Sequence, residues 1–162
     1  QRLLAECEGF GFKVHREICA DDKPWGAYIC VREESVSAFL KAYWADVIDR
    51  LPLKNGHNLA PKILMVAPGN RLSLQYHHRR GEHWRVLAGP VKIIVGADGA
   101  SLEERVFNAG DIVRIPCGYW HRLAGLAGWG VIAEIWEHTD PANPSDENDI
   151  VRVEDDFSRK TG

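Results

Sequence analysis

The sequence predicts an all-β protein, a small jelly-roll barrel preceded by one amphipathic helix, and three observations carry that prediction. Between residues 61 and 137 about eight short runs of strand-forming residues follow one another with no helical period between them. Turn formers punctuate most of the breaks, at Pro68-Gly69, Gly89-Pro90, Asp98-Gly99, Gly110-Asp111 and Gly128. Upstream, a single stretch repeats its apolar residues at three- and four-residue steps. Many short strands without intervening helices suit a sandwich or barrel, and a jelly roll fits best.

Residues 1–23 are mixed and weakly periodic and read as an N-terminal arm. Trp25 to Val31 is rich in strand formers. Val36, Phe39, Leu40, Tyr43, Trp44, Val47, Ile48 and Leu51 then form one apolar stripe, which predicts a helix near residues 35–50. Ser35 suits its N-cap and Pro52 its end. This stripe is core packing. The strands expected next are Ile63–Val66, Leu72–His77, His83–Leu87, Val91–Val95, Glu104–Phe107, Asp111–Ile115, Trp120–Leu123 and Val131–Trp136. Thr139–Ser145 is loop-like, and Ile150, Val151 and Val153 suit one edge strand. The expected organisation is one domain over 1–162, with the arm at 1–23, the barrel core at 61–137 and a C-terminal loop and edge segment at 138–162.

Composition excludes several classes. At 45% hydrophobic and 27% charged, the 162 residues are ordinary for a globular protein rather than a disordered or fibrous one. No apolar run is long enough to span a membrane, and the first residues carry no signal-peptide core. The net charge of −3 argues against a general nucleic-acid binder. Cys7, Cys19, Cys30 and Cys117 form no C-x-x-C pair, so a reduced, cytoplasmic protein is expected. Exposed barrel edges suit a homodimer.

The chemistry gathers in two blocks. Along 71–77, strand parity turns Ser73, Gln75 and His77 to one side and Leu72, Leu74 and Tyr76 to the other. Glu82 follows a turn of His78, Arg79, Arg80 and Gly81, and a hairpin there brings it opposite the same point. His121 stands just after the Pro116-Cys117-Gly118 turn. Two imidazoles, a carboxylate and an amide oxygen make a first shell suited to Zn²⁺ or a similar divalent metal with open positions. The spacings are long and specific. Gly69, Gln75, His77, Glu82 and Gly89 are separated by five, one, four and six residues, and Gly110, Pro116, Gly118 and His121 by five, one and two. Glu134 is a carboxylate inside the apolar run Val131–Trp136, where it needs a partner or a function. His83, by parity, faces away from Glu82.

These two blocks resemble the signature motifs of the cupin superfamily, double-stranded β-helix barrels with a metal at the centre. Gln75 stands where the first His is usual, and Gly125 where an Asn is common. The resemblance is closer to the isomerase domain of type II phosphomannose isomerases, and to small stand-alone cupins of phosphomannose or phosphoheptose isomerase type. Leu72-Ser73-Leu74-Gln75, Glu82-His83-Trp84, Pro24-Trp25-Gly26 and Asn148-Asp149-Ile150-Val151-Arg152 carry it, over about Pro24 to Arg159. Arg79 takes the place of a third His in the turn.

The resemblance implies a metal-dependent aldose–ketose isomerase acting on a sugar phosphate of the mannose 6-phosphate type, with Zn²⁺ preferred. Gln75, His77, Glu82 and His121 would hold the metal, while Arg80, Arg152 and Arg159 would serve phosphate binding and charge stabilisation. Glu134 is the candidate proton carrier. Arg152 and Arg159 have the alternative of pairing with acidic neighbours. A sugar or sugar-nucleotide epimerase and a non-catalytic sugar-binding cupin are the competing readings.

Overall fold

Alternation along the chain is resolved into two facing antiparallel sheets in a computed structural model that describes Lys13, residues 20–51 and residues 59–159. The strands are β1 (Ala20–Lys23), β2 (Gly26–Cys30), β3 (Lys62–Val66), β4 (Leu74–Tyr76), β5 (Arg80–Ala88) and β6 (Val91–Gly96). They continue with β7 (Glu103–Phe107), β8 (Ile112–Ile115), β9 (Trp120–Gly125), β10 (Gly130–His138) and β11 (Val151–Glu154). One sheet runs β1-β2-β3-β10-β5-β8 and the other β11-β4-β9-β6-β7. The expected all-β jelly roll is what forms, with β1 made from the last residues of the expected arm; the rest of the arm, apart from Lys13, lies outside the described residues.

The first sheet is buried on both faces, and parity divides its side chains. Leu64 and Val66 of β3, Trp84 and Val86 of β5 and Ile132 of β10 point between the sheets, where they pack with Val91, Ile93, Val113, Ile115 and Leu123. Ile63 of β3 and Ala133 and Ile135 of β10 point outward, onto Ile29, Val36, Phe39, Trp44 and Leu59. The apolar stripe of the helix is what covers that second face. Its burial explains why Val131–Trp136 reads as a nearly continuous hydrophobic run rather than an alternating one.

The helix is shorter than its stripe. The helix α1 covers Val36–Tyr43 only, and a turn then leads to a 3-10 segment at Ile48–Arg50. Trp44, at 0% exposure, is driven into the outer core, and its backbone leaves the helical region at φ −131° and ψ 0°. The Val47 and Ile48 N–H groups then donate to the Trp44 carbonyl, so the stripe is satisfied by two short elements instead of one long one. Ser35 occupies the N-cap position without capping through its side chain; its Oγ accepts the Lys13 N–H at 2.8 Å. Pro52 lies outside the described residues.

Two glycines are required by close approach or backbone angle. Gly26 has φ +147°, and a Cβ there would stand 2.0 Å from the Met65 carbonyl oxygen. Gly118 (φ +81°) closes the turn before β9 while its N–H donates to the His77 carbonyl at 2.9 Å. Among the described residues no helix is long and apolar enough to cross a membrane.

Candidate metal centre

The hairpin expected between β4 and β5 is not formed. β4 pairs with β9 and β11, whereas β5 pairs with β10 and β8, so the chain crosses from one sheet to the other over His77–Arg79. His77, at the end of β4, and Glu82, on β5, therefore meet across the space between the sheets. His121 enters from β9, where its neighbour Gln75 is the cross-strand partner. All three of His77, Glu82 and His121 are buried, and one ligand atom of each lies within 4.8 Å of the others.

Backbone carbonyls set both imidazoles. His77 Nδ1 donates to the Asp149 carbonyl, and His121 Nδ1 donates to the Tyr119 carbonyl at 2.9 Å. Each ring thus turns its Nε2 lone pair toward Glu82, at 3.0 Å from Oε1 for His77 and 3.4 Å from Oε2 for His121. Lone pairs facing a carboxylate repel unless a cation or a proton stands between them. Among the described residues His121 Nε2 has no hydrogen-bond partner at all. Burial lowers the His77 pKa; burial raises that of Glu82, but the positive charge and hydrogen bonds that the two imidazoles offer when protonated outweigh this and hold it well below the ordinary value. Two imidazoles whose Nδ1–H groups are fixed from behind, with a carboxylate between their Nε2 atoms, are the donor set a divalent ion such as Zn²⁺ takes, so the residues fit the implied metal.

Gln75 stands on the wall of the same cavity, and its Oε1 accepts the Ser73 hydroxyl at 2.7 Å. Arg80 is 4% exposed and lies against the centre. Its Nε donates to Glu82 Oε1 at 3.1 Å, one terminal nitrogen to His77 Nε2 at 3.2 Å and the other to Ser145 Oγ at 2.8 Å. Arg79 turns away, onto Pro144 O and Asp146 of the C-terminal segment.

The cavity encloses about 200 Å³. Arg80, Arg152 and Arg159 all line it, with Glu82, Glu134 and Gln75. Arg159 is gripped by Asp155, 2.6 Å from its terminal nitrogen, so the pairing alternative and the cavity position hold together for this residue. Burial, and then the charge of Arg159, lower the Arg152 pKa. Two like charges on one wall favour an anion between them.

Glu134 is 4% exposed and held by two indoles, Trp84 Nε1 at 3.0 Å and Trp136 Nε1 at 2.8 Å. Trp84 Nε1 also donates to Glu82 Oε2 at 3.0 Å, so the two carboxylates share one donor. Burial and the Glu82 charge push the Glu134 pKa up to about 7. His83 does face away, as parity predicts; it is buried under the outer face and its Nε2 lies 2.8 Å from Glu137, which also holds Arg114.

One cavity residue, Lys62, and two residues that hold the turn beside it, Asp149 and His138, carry no role in the sequence reading. Lys62 stands one residue before the expected strand Ile63–Val66 but opens the observed one, and its parity with Leu64 and Val66 is the signal that marks it as inward-facing. Asp149 is 6% exposed; its carboxylate accepts the His78 and Arg79 N–H groups and the Ser145 hydroxyl. His138, which belongs to neither motif, is half-buried and accepts the Ser145 N–H at 2.9 Å. His15 and His57 lie outside the described residues.

Comparison with known proteins places these observations. Residues 44–155 match the family described as Mannose-6-phosphate isomerase C-terminal. The chain is 30% identical over 147 residues to a mannose-1-phosphate guanylyltransferase of Escherichia coli (strain K12), covering 91% of this chain and 24% of that protein. It thus spans about a quarter of the length of the curated relatives it matches. In structure it is similar to the capsular polysaccharide assembling protein CapF of Staphylococcus aureus, with a TM-score of 0.56 at 18% identity over 88% of this chain and 34% of that one. Lactobacillus farciminis oxalate decarboxylase gives a TM-score of 0.57 at 16% identity, with 88% and 34% covered. Both likenesses are of fold.

Proposed function

The chain belongs to the mannose-6-phosphate isomerase C-terminal family, with a cupin fold, and from that premise we propose that it is a metal-dependent isomerase of a sugar phosphate of the mannose 6-phosphate type. The observation that carries the reading is the convergence of two imidazole Nε2 atoms on Glu82, a carboxylate that itself lines a cavity walled by three arginines. His77, Glu82 and His121 would hold a divalent ion, Zn²⁺ by the nature of the donors, with Gln75 beside them. When bound, such an ion supplies Lewis-acid polarisation of substrate oxygens.

The chain's own residues supply the rest. Aldose–ketose isomerisation moves a proton between C1 and C2 through an enediol, so it needs a group that both accepts and returns a proton near neutral pH. Glu134, a carboxyl that burial pushes up from its ordinary value and that lines the cavity, suits that requirement, and its two indole donors fix it in place. Arg152 and Arg159 provide planar cationic forks for the phosphate. Arg80, tied to Glu82 and His77, keeps positive charge beside the oxygens on which negative charge develops.

The test is turnover of a sugar-phosphate panel headed by fructose 6-phosphate and mannose 6-phosphate, with protein metal-loaded and chelated. Metal-dependent isomerisation that disappears in His77→Ala is expected. Failure to turn over any phosphate with the metal bound and the fold intact would sink the reading.

A further inference from the structure

Lys62 is a buried amine with no place in the scheme above. It opens β3 at an inward-facing position and is 7% exposed, yet its ammonium borders the cavity rather than reaching outward to water. Nζ lies 4.3 Å from the centroid of the Trp136 ring. That same indole donates to Glu134, and Glu134 is the cross-strand partner of Lys62 between β3 and β10. The ammonium, the ring and the candidate proton carrier are therefore one contiguous group.

The ion partner of Lys62 is unusual in its placement. Nζ sits 2.6 Å from Glu147 Oε1, but the Glu147 side chain is 66% exposed and belongs to the C-terminal segment, whereas the lysine side chain is 9% exposed. Burying a cation costs several kcal/mol, and an apolar residue of similar volume generally serves stability as well or better. A well-solvated carboxylate offset by that cost is a poor structural return. Burial works to remove the proton, but the Glu134 and Glu147 carboxylates outweigh it and keep the amine charged.

We propose that Lys62 is a substrate-contacting residue, whose ammonium exchanges Glu147 for the substrate oxygen on which charge develops during proton transfer. The inference rests on the isomerase reading. The ammonium keeps its proton throughout and acts by hydrogen bonding and charge alone. Glu147 is its resting partner, displaced as the substrate enters. A cation already fixed over Trp136 pays no reorganisation when the charge appears.

The experiment compares the parent with Lys62→Met, Lys62→Arg and Glu147→Gln, reading kcat and KM for mannose 6-phosphate, bound metal, and circular dichroism. Lys62→Met is expected to lose about 100-fold or more in kcat, the scale of removing one charge-stabilising donor, with KM and metal content little changed. Lys62→Arg recovers part of that loss. Glu147→Gln lowers KM, because the substrate no longer competes with a carboxylate, and costs kcat far less than Lys62→Met. A Lys62→Met protein with kcat near the parent's overturns the inference while leaving the isomerase reading intact. Equal kcat losses in Lys62→Met and Glu147→Gln overturn it too, since the pair would then be a structural latch. Should Lys62→Met not fold, Lys62→Arg and Glu147→Gln decide: loss in the first alone sustains the inference and equal loss overturns it. A metal-loaded parent that turns over no phosphate brings down both readings.

Discussion

Replacing Asp149 by alanine probes how the C-terminal segment builds the site. Its carboxylate accepts the His78 and Arg79 N–H groups at 2.9 Å each and the Ser145 hydroxyl at 2.6 Å, while its carbonyl orients His77. The substitution removes three charge-assisted hydrogen bonds, each worth about 1.5–3 kcal/mol when its partners stay dry. They do not all stay dry. His78 is exposed and Arg79 half-buried, so water recovers part of the loss for the two backbone donors, whereas Ser145 is 3% exposed and recovers little. A net cost of about 3 kcal/mol follows, or a fall of roughly 6–12 °C in Tm for a chain of this size. Asp149→Asn, which keeps an acceptor oxygen, should lose about half as much. Urea unfolding of both variants in chelator measures this directly. Because the turn 77–80 carries His77 and Arg80, metal affinity should also drop about 10- to 100-fold, the usual consequence of losing a group that orients a ligand. An Asp149→Ala protein within 1 kcal/mol of its parent, with unaltered metal affinity, would show that the turn holds its shape without the carboxylate.

Two further outcomes separate scaffold from site. Phe39→Ala, at 0% exposure in the outer core, should cost about 3–5 kcal/mol in chemical denaturation while leaving metal affinity unchanged, since α1 lies on the far side of the first sheet from the cavity. The Asp155 carboxyl is held below its ordinary 3.8 chiefly by hydrogen bonds from Arg159, against the pull of burial. The sign is that of a depressed acid: its stabilisation is complete above pH 3.8 and is lost as pH falls through the lower folded value. Thermal melts across the acid range should therefore steepen less in Asp155→Asn than in the parent, and identical slopes would refute the pairing.

What could be read from the residue order is what depends on neighbours in the chain. Runs of strand formers bounded by turn residues located β3 to β10 within a residue or a few at each end, because both signals are local to the chain. The same parity aligned Gln75 with His77 and set His83 opposite Glu82. Glu134 stood out because a carboxylate in an apolar run must be accounted for.

Tertiary structure decided what depends on residues far apart. The β4–β5 turn looked like a hairpin, yet its arms enter different sheets, because β9, about 45 positions beyond Gln75, is the better partner for β4. The long apolar stripe became a short helix and a 3-10 turn because Trp44 had a hole to fill in a core assembled from β3, β10 and Leu59. Arg152 and Arg159 reach the cavity wall and the Asp149 carbonyl reaches His77 from the C-terminal segment, some 70 positions away in the chain. Local period sets which way a side chain points along its own strand. Which side chain it meets across the barrel is set by sheet closure, a property of the whole chain's packing that no short stretch of sequence contains.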